Sequence, residues 1–342
     1  MTLESYPVLP PEIAPLMDEH AFDAHEKLAN TRLEDILSSV PSTVYHLGEG
    51  SAGFVEILPT EDHDPSKAVV LPLQFNRGWD KEAAIRVKLF SDMLHDPTRL
   101  IVFPNKSLHG QVPFFLTAPE LRTVANGEYF PIANQYLRTL ERLNVKNFGL
   151  LGGSQAAAVG ASTIRAASNY FEVSPSGLID PPNAIRRTRK QLQEDFKSTG
   201  LAGLNKAIND AGIPAYNEAN YAADWDLAFQ LGHLAAFALN SKTEPNRSIE
   251  DGFTVPKFAE DVNYAMSNND LLKLLVASGL RSRVSPPDVM AQINDHLSEF
   301  EGRWRYLGVS GYGHELISNI VAFSLLGRAA IEDSAIQTPS IT

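Results

Sequence analysis

A serine set among small residues is the most chemically suggestive feature of this 342-residue chain. Phe148-Gly149-Leu150-Leu151 reads as a short apolar strand, and Gln155-Ala156-Ala157-Ala158 as the start of a small-residue helix. Between them, Gly152-Gly153-Ser154-Gln155-Ala156 is a close variant of the Gly-x-Ser-x-Gly turn. Such a turn holds its serine in a strained backbone conformation and pushes the hydroxyl out at the end of a sheet. It brings strand and helix so close that the positions two before and two after the serine must be small. Here they are Gly152 and Ala156. The helix N-terminus behind Ser154 directs free N–H groups and a partial positive charge at whatever binds there. This is the arrangement of a hydroxyl nucleophile, provided a base lies within reach. Taken alone, the stretch fits an ordinary glycine-rich turn about as well.

Other chemistries are disfavoured more simply. The chain has no cysteine, which removes disulfides, thiolate zinc sites and a cysteine nucleophile. It has no His-Glu-x-x-His, no Gly-x-x-x-x-Gly-Lys and no dinucleotide Gly-x-Gly-x-x-Gly after a first strand. Asp62-His63-Asp64 resembles a metal-binding triplet but sits in a polar loop and reads as a solvated turn. No metal and no cofactor are therefore expected. A net charge of −12 disfavours nucleic acid and anionic membranes as general partners. The first residues are polar and proline-bearing, without a signal-peptide pattern, and no stretch is long enough to span a bilayer. A cytoplasmic location is the default expectation.

The elements that must position Ser154 alternate in type. Residues 1–42 form an N-terminal arm, extended at Pro7, Pro10, Pro11 and Pro15 and then helical over 19–39. It could pack on the main domain, on a partner chain or on a second copy in a homo-oligomer. A hairpin over 43–47 and 53–58 follows. Apolar runs at 68–73 and 100–103 read as strands buried on both faces, with helices over 81–94 and 131–143. The strand before Ser154, its helix (155–169) and a strand at 177–180 continue the pattern. Repeated alternation predicts an α/β fold with a mostly parallel central sheet and helices on both sides. Over 183–269 the alternation gives way to helices at 186–197, 203–210 and 222–239, read as a helical cap. Strands at 271–276 and 304–309 then flank a helix at 287–300, and a final helix covers 315–330. The core is thus expected over 43–182 and 270–332, with a polar tail over 333–342.

This order resembles the α/β-hydrolase fold over about residues 43–330. Three stretches carry the likeness: the Gly-Gly-Ser-Gln-Ala turn, Leu178-Ile179-Asp180-Pro181-Pro182, and Gly311-Tyr312-Gly313-His314-Glu315 after the last strand. The resemblance implies that Ser154 is the nucleophile and His314 the general base, in the chain order serine, acid, histidine. The acid departs from the pattern. Ser282 occupies its usual slot in the loop after the seventh strand, and a serine cannot stabilise an imidazolium as a carboxylate does. Asp180, at the end of the sixth strand, matches an alternative position seen in some members. Asp288 lies nearby but reads as the start of a helix, and the acid could also be absent. For the oxyanion hole the resemblance implies the backbone N–H of Gln155 with that of Gln74 or Phe75. Trp79 could form an apolar wall and Arg77 could meet an anionic substrate group, although packing and surface roles are commoner for such residues.

Two functional readings follow. The first is a serine hydrolase cleaving a small-molecule carboxylic ester, less readily an amide, with an acyltransferase using the same parts. The second is a non-catalytic binding or structural module on the same fold, favoured by the missing acid at the usual position.

Overall fold

A computed structural model describes residues 7–59, 62–74, 78–105, 116–198, 200–221 and 246–333. Phe75, Arg77 and the helix expected over 222–239 lie outside them.

The centre is an eight-stranded sheet. In chain order its strands are β1 (Val55–Ile57), β2 (Lys67–Pro72), β3 (Leu100–Phe103), β4 (Asn147–Gly153), β5 (Glu172–Val173), β6 (Ser176–Ile179), β7 (Leu274–Gly279) and β8 (Trp304–Val309). They run across the sheet as β1-β3-β2-β4-β6-β7-β8, with β5 paired to β4. Only β1 is antiparallel to its neighbour. The expected hairpin reduces to a single Tyr45–Phe54 bridge, because the second arm pairs with β3 instead.

The interior strands are continuous apolar runs because both their faces are covered. Alternate residues feed two separate cores. Val69, Leu71, Val102, Leu151 and Ile179 face one layer, and Val70, Ile101, Phe103, Leu150 and Leu178 the other. The first layer holds α3 (Lys81–Met93) and the last helix. The second holds α5 (Phe130–Arg142), which follows the short α4 (Ala118–Ala125), and α6 (Gln155–Ala167).

The N-terminal arm belongs to the first core. Its helices α1 (Glu19–Ala29) and α2 (Leu33–Ser38) bury Ala21, Leu28, Leu33 and Ile36 there. The single helix expected over 19–39 is broken where the chain turns at Asn30–Thr31 and both side chains bond back to the carbonyls of Glu26 and Lys27.

Between β6 and β7 come α7 (Arg189–Ser198), α8 (Gly200–Asp210), α9 (Pro214–Tyr221), α10 (Asn246–Gly252) and α11 (Phe258–Asn268). The last of these packs directly on α6, so the chain has rejoined the core before β7 begins. After β7 come α12 (Pro287–His296), β8 and α13 (Ile320–Ile331). The expected strand at 271–276 is shifted to Leu274–Gly279, and the expected last helix is divided. A 3₁₀ turn covers His314–Ser318, and α13 starts afresh at Ile320. The break is local chemistry: the Asn319 side chain accepts the N–H of Ala322 and caps the new helix. No helix among the described residues is long and apolar enough to cross a membrane.

Candidate active site

The strand order reverses between β2 and β4: β3 lies on one side of β2 and β4 on the other. In parallel sheets, ligands bind beyond the carboxyl ends of the strands at such a switch point. Here those ends are Pro72, leading to Leu73 and Gln74, and Gly153, leading to Ser154.

Ser154 adopts φ 56° and ψ −127° between β4 and α6. A side chain rarely occupies that left-handed region, and the turn holds it there by close approach. A Cβ on Gly152 would collide with the carbonyl oxygen of Ala156, so the position must be glycine. The Ser154 N–H donates to the carbonyl of Ile179 at 2.8 Å, which ties the turn to the end of β6. At the start of α6 the Ala157 N–H already reaches the Ser154 carbonyl at 2.8 Å, whereas Gln155, its first residue, has no carbonyl one turn earlier to accept its N–H.

Asp180 follows β6 directly and shares the unusual backbone, at φ 56°. Only four non-glycine residues among those described have positive φ, and two of them are Ser154 and Asp180. Strain of this kind, of order 1–3 kcal/mol each, persists only where the surroundings enforce it.

His314 comes from the far end of the sheet, on the turn after β8. That turn is closely held. A Cβ on Gly279, at the end of β7, would sit 2.5 Å from the Tyr312 carbonyl oxygen. The Tyr312 hydroxyl donates to Asp210 of α8 at 2.6 Å. Just beyond His314, the buried Arg86 of α3 donates to the Ile317 carbonyl at 2.6 Å and pairs with Glu82 at 3.3 Å.

These three supports converge on one hydrogen-bonded chain. Ser154 Oγ lies 2.9 Å from His314 Nε2, and His314 Nδ1 lies 2.5 Å from Asp180 Oδ2. A carboxylate can only accept, so Nδ1 carries the proton and Nε2 is left free to accept from the serine hydroxyl. The chain is secluded: Ser154 and His314 are 5% and 8% exposed and Asp180 is wholly buried. The Phe196 ring of α7 meets the imidazole edge-on, with centroids 5.2 Å apart. Asp180 Oδ2 also accepts from the Ser282 hydroxyl at 3.1 Å, and Oδ1 has no partner among the described residues. Asp288 is exposed in the first turn of α12; the carboxylate on the imidazole is that of Asp180.

The remaining candidates divide. The Gln74 side chain leans toward the His314 turn, its Nε2 3.4 Å from the Ile317 carbonyl. Trp79 packs on the first core and donates its indole N–H to the Pro41 carbonyl at 2.7 Å, so its ring is committed to the arm. Three residues that motif reading passes over are Asn105, Phe196 and Arg86. Asn105 Nδ2 bonds the buried Gln155 side-chain oxygen and lies 3.4 Å from the Leu73 carbonyl. It thereby joins the ends of β2, β3 and β4. The available signal is a polar residue that follows the apolar run at 100–103 after a single proline, Pro104.

A parallel sheet in this order, an antiparallel edge strand, and a serine turn after the strand beyond the switch point decide the architecture. The chain has the α/β-hydrolase fold. Solved structures of similar shape include a bromoperoxidase from Bacillus anthracis, at 15% identity over 82% of this chain and 96% of that one, TM-score 0.48. A naproxen esterase (carboxylesterase NP) from Bacillus subtilis aligns at 10% identity over 89% and 94%, TM-score 0.48. A proline iminopeptidase from Mycobacterium smegmatis aligns at 12% identity over 83% and 97%, also at TM-score 0.48. No protein-family model and no curated protein matches the sequence. The names of these neighbours differ in reaction, and a shared α/β-hydrolase fold does not select among reactions.

Proposed function

We propose that this protein is a serine hydrolase that cleaves a carboxylic ester through an acyl-enzyme on Ser154. The observation that carries the reading is the continuous Ser154–His314–Asp180 hydrogen-bond chain, 2.9 Å and 2.5 Å long in its two links.

In this reading the Ser154 oxygen attacks the ester carbonyl carbon while His314 Nε2 takes the hydroxyl proton. Asp180 holds the imidazole in the required tautomer and offsets the positive charge it gains. The oxygen of the tetrahedral intermediate turns toward the N–H of Gln155 and the end of β2, where Gln74 lies. The carbon–oxygen bond to the alcohol then breaks, and His314 returns the proton to the departing alcohol. Water, deprotonated by the same imidazole, attacks the acyl-Ser154 carbonyl and releases the acid. An acyl acceptor in place of that water would make the protein an acyltransferase with the same side chains.

A fluorophosphonate probe tests the reading, because it reports an activated serine whatever the natural substrate. Wild-type protein is expected to label, and Ser154→Ala is expected not to. Equal labelling of both moves the nucleophile elsewhere. A folded wild type that never labels favours a binding module on this fold.

A further inference from the structure

We propose that Asp210 and Tyr312 are positioning residues for His314, held in place by a clamp that the helices between β6 and β7 form with the N-terminal arm. The inference rests on the hydrolase reading above and deepens it.

The turn that carries His314 has little stiffness of its own. Gly311 stands at φ 79°, and Gly313 directly precedes the histidine. Glycine gives a turn the most backbone freedom to lose. Core contacts hold the carbonyls of Tyr312 and Ile317, through the Arg281 N–H and the Arg86 side chain. The helices between β6 and β7 add side-chain contacts on both sides of the histidine. Tyr312 is 2% exposed. Its hydroxyl donates to Asp210 Oδ2 at 2.6 Å and accepts from Asn319 Nδ2 at 3.0 Å. Beyond His314, the Ser318 carbonyl accepts from the Tyr216 hydroxyl of α9 at 2.9 Å. Asp210 ends α8, where the helix dipole disfavours a carboxylate. Lys206, one turn earlier, pairs with it and lies 4.9 Å from the centroid of the Tyr312 ring. Lys206 and the Tyr312 hydroxyl together offset that cost.

The N-terminal arm closes the clamp from the other side. The Val8 N–H donates to the Asp210 carbonyl at 2.8 Å. His25 Nε2 faces the Ala211 carbonyl at 2.9 Å and so carries the proton. Glu12 Oε2 accepts from the N–H and the hydroxyl of Ser310, at 3.2 and 2.9 Å, on the loop that leads from β8 to His314. The end of α8 is thus fixed by the arm and in turn fixes Tyr312. The precision matters at the imidazole, because a displacement of about 1 Å can cost about a hundredfold in rate.

The test measures fluorophosphonate labelling rates well below each variant's melting temperature, so that lost stability alone leaves the rate unchanged. It also follows the proton resonance of His314 Nδ1–H, which reports the bond to Asp180. Tyr312→Phe keeps the ring and loses the hydroxyl. It is expected to label about tenfold more slowly and to weaken that resonance. Asp210→Ala is expected to match it, whereas Asp210→Asn keeps an acceptor for the Tyr312 hydroxyl and is expected to retain most of the rate. The Tyr312→Phe/Asp210→Ala double variant is expected to be no slower than the slower single variant, because both act through one hydrogen bond. Glu12→Ala is expected to slow labelling a few-fold. Wild-type labelling rates in Tyr312→Phe and Asp210→Ala overturn the positioning role; if Tyr312→Phe does not fold, equal rates for Asp210→Ala and Asp210→Asn do so. A wild-type rate in Glu12→Ala overturns the part given to the arm. Wild-type protein that does not label at Ser154 overturns the hydrolase reading, and this inference with it.

Discussion

Replacing Asp180 by asparagine exchanges one carboxylate oxygen for an NH₂ group, and the structure sets the size of the effect. The wild-type carboxylate is wholly buried and 2.5 Å from His314 Nδ1. When Ser154 gives up its proton the imidazole becomes positive, and the carboxylate faces a charge with centres about 4 Å apart. At an effective dielectric of about 20, that attraction is about 4 kcal/mol. Asparagine offers no charge, so most of that stabilisation is lost, which corresponds to about a thousandfold in rate. If the asparagine presents its NH₂ to Nδ1, the proton is driven to Nε2 and the imidazole can no longer accept from Ser154. The combined loss reaches about 10³ to 10⁴. Stability should move differently. The backbone at φ 56° tolerates asparagine, and the change removes a buried charge whose Oδ1 lacks a partner among the described residues. The expected outcome is a fluorophosphonate labelling rate lowered by about three orders of magnitude, with a melting temperature equal to or above that of wild type. Labelling within a few-fold of wild type would refute the assignment of Asp180 as the residue that orients and neutralises His314.

Three further outcomes follow from single observations. Ser154→Gly relieves the left-handed backbone at φ 56° and should stabilise the fold by about 1 kcal/mol while abolishing labelling; an unchanged or lower melting temperature would argue against strain at this turn. Gly152→Ala places a methyl against the Ala156 carbonyl and should destabilise by about 1–3 kcal/mol in denaturant titration; a variant as stable as wild type would contradict that close approach. Glu250, buried on α10, has its carboxyl pushed up from 4.5 to about 7 by burial, against the pull of Arg189. The folded state therefore holds this proton more tightly than the unfolded chain, so its contribution to stability is present below about pH 4.5 and is lost as pH rises toward 7. The melting temperature of Glu250→Gln minus that of wild type should grow from pH 5 to pH 8; a constant difference would contradict the shift.

Sequence patterns made some of this site legible and left other parts hidden, for physical reasons. The Ser154 turn is visible because its geometry demands small residues at fixed spacing, and Gly152 and Ala156 satisfy that demand. Asp180 stands at the end of an apolar run, where a parallel sheet delivers side chains to one edge, and His314 on the glycine-flanked turn after the last strand. The sequence favours Asp180 over Asp288, which reads as the start of a helix, but the contact of Asp180 with the imidazole depends on where distant strands place the two. Ser282 illustrates the same limit: its contact with Asp180 spans 102 residues of chain. Phe196 and Arg86 lie on helices whose patterns report a buried face but not what that face meets. The division of the last helix at Asn319 had a local signal, an N-cap residue before an apolar run, which the longer run of hydrophobic residues concealed.

The most direct test of the account is to trap the acyl group. Wild-type protein mixed with a p-nitrophenyl ester should release a stoichiometric burst of p-nitrophenolate. Peptide mapping of the quenched sample should then place the acyl mass on the fragment bearing Ser154. Acylation of another residue, or a folded protein that gains no acyl mass from esters of increasing chain length, would contradict the claim that Ser154 is the nucleophile served by His314 and Asp180.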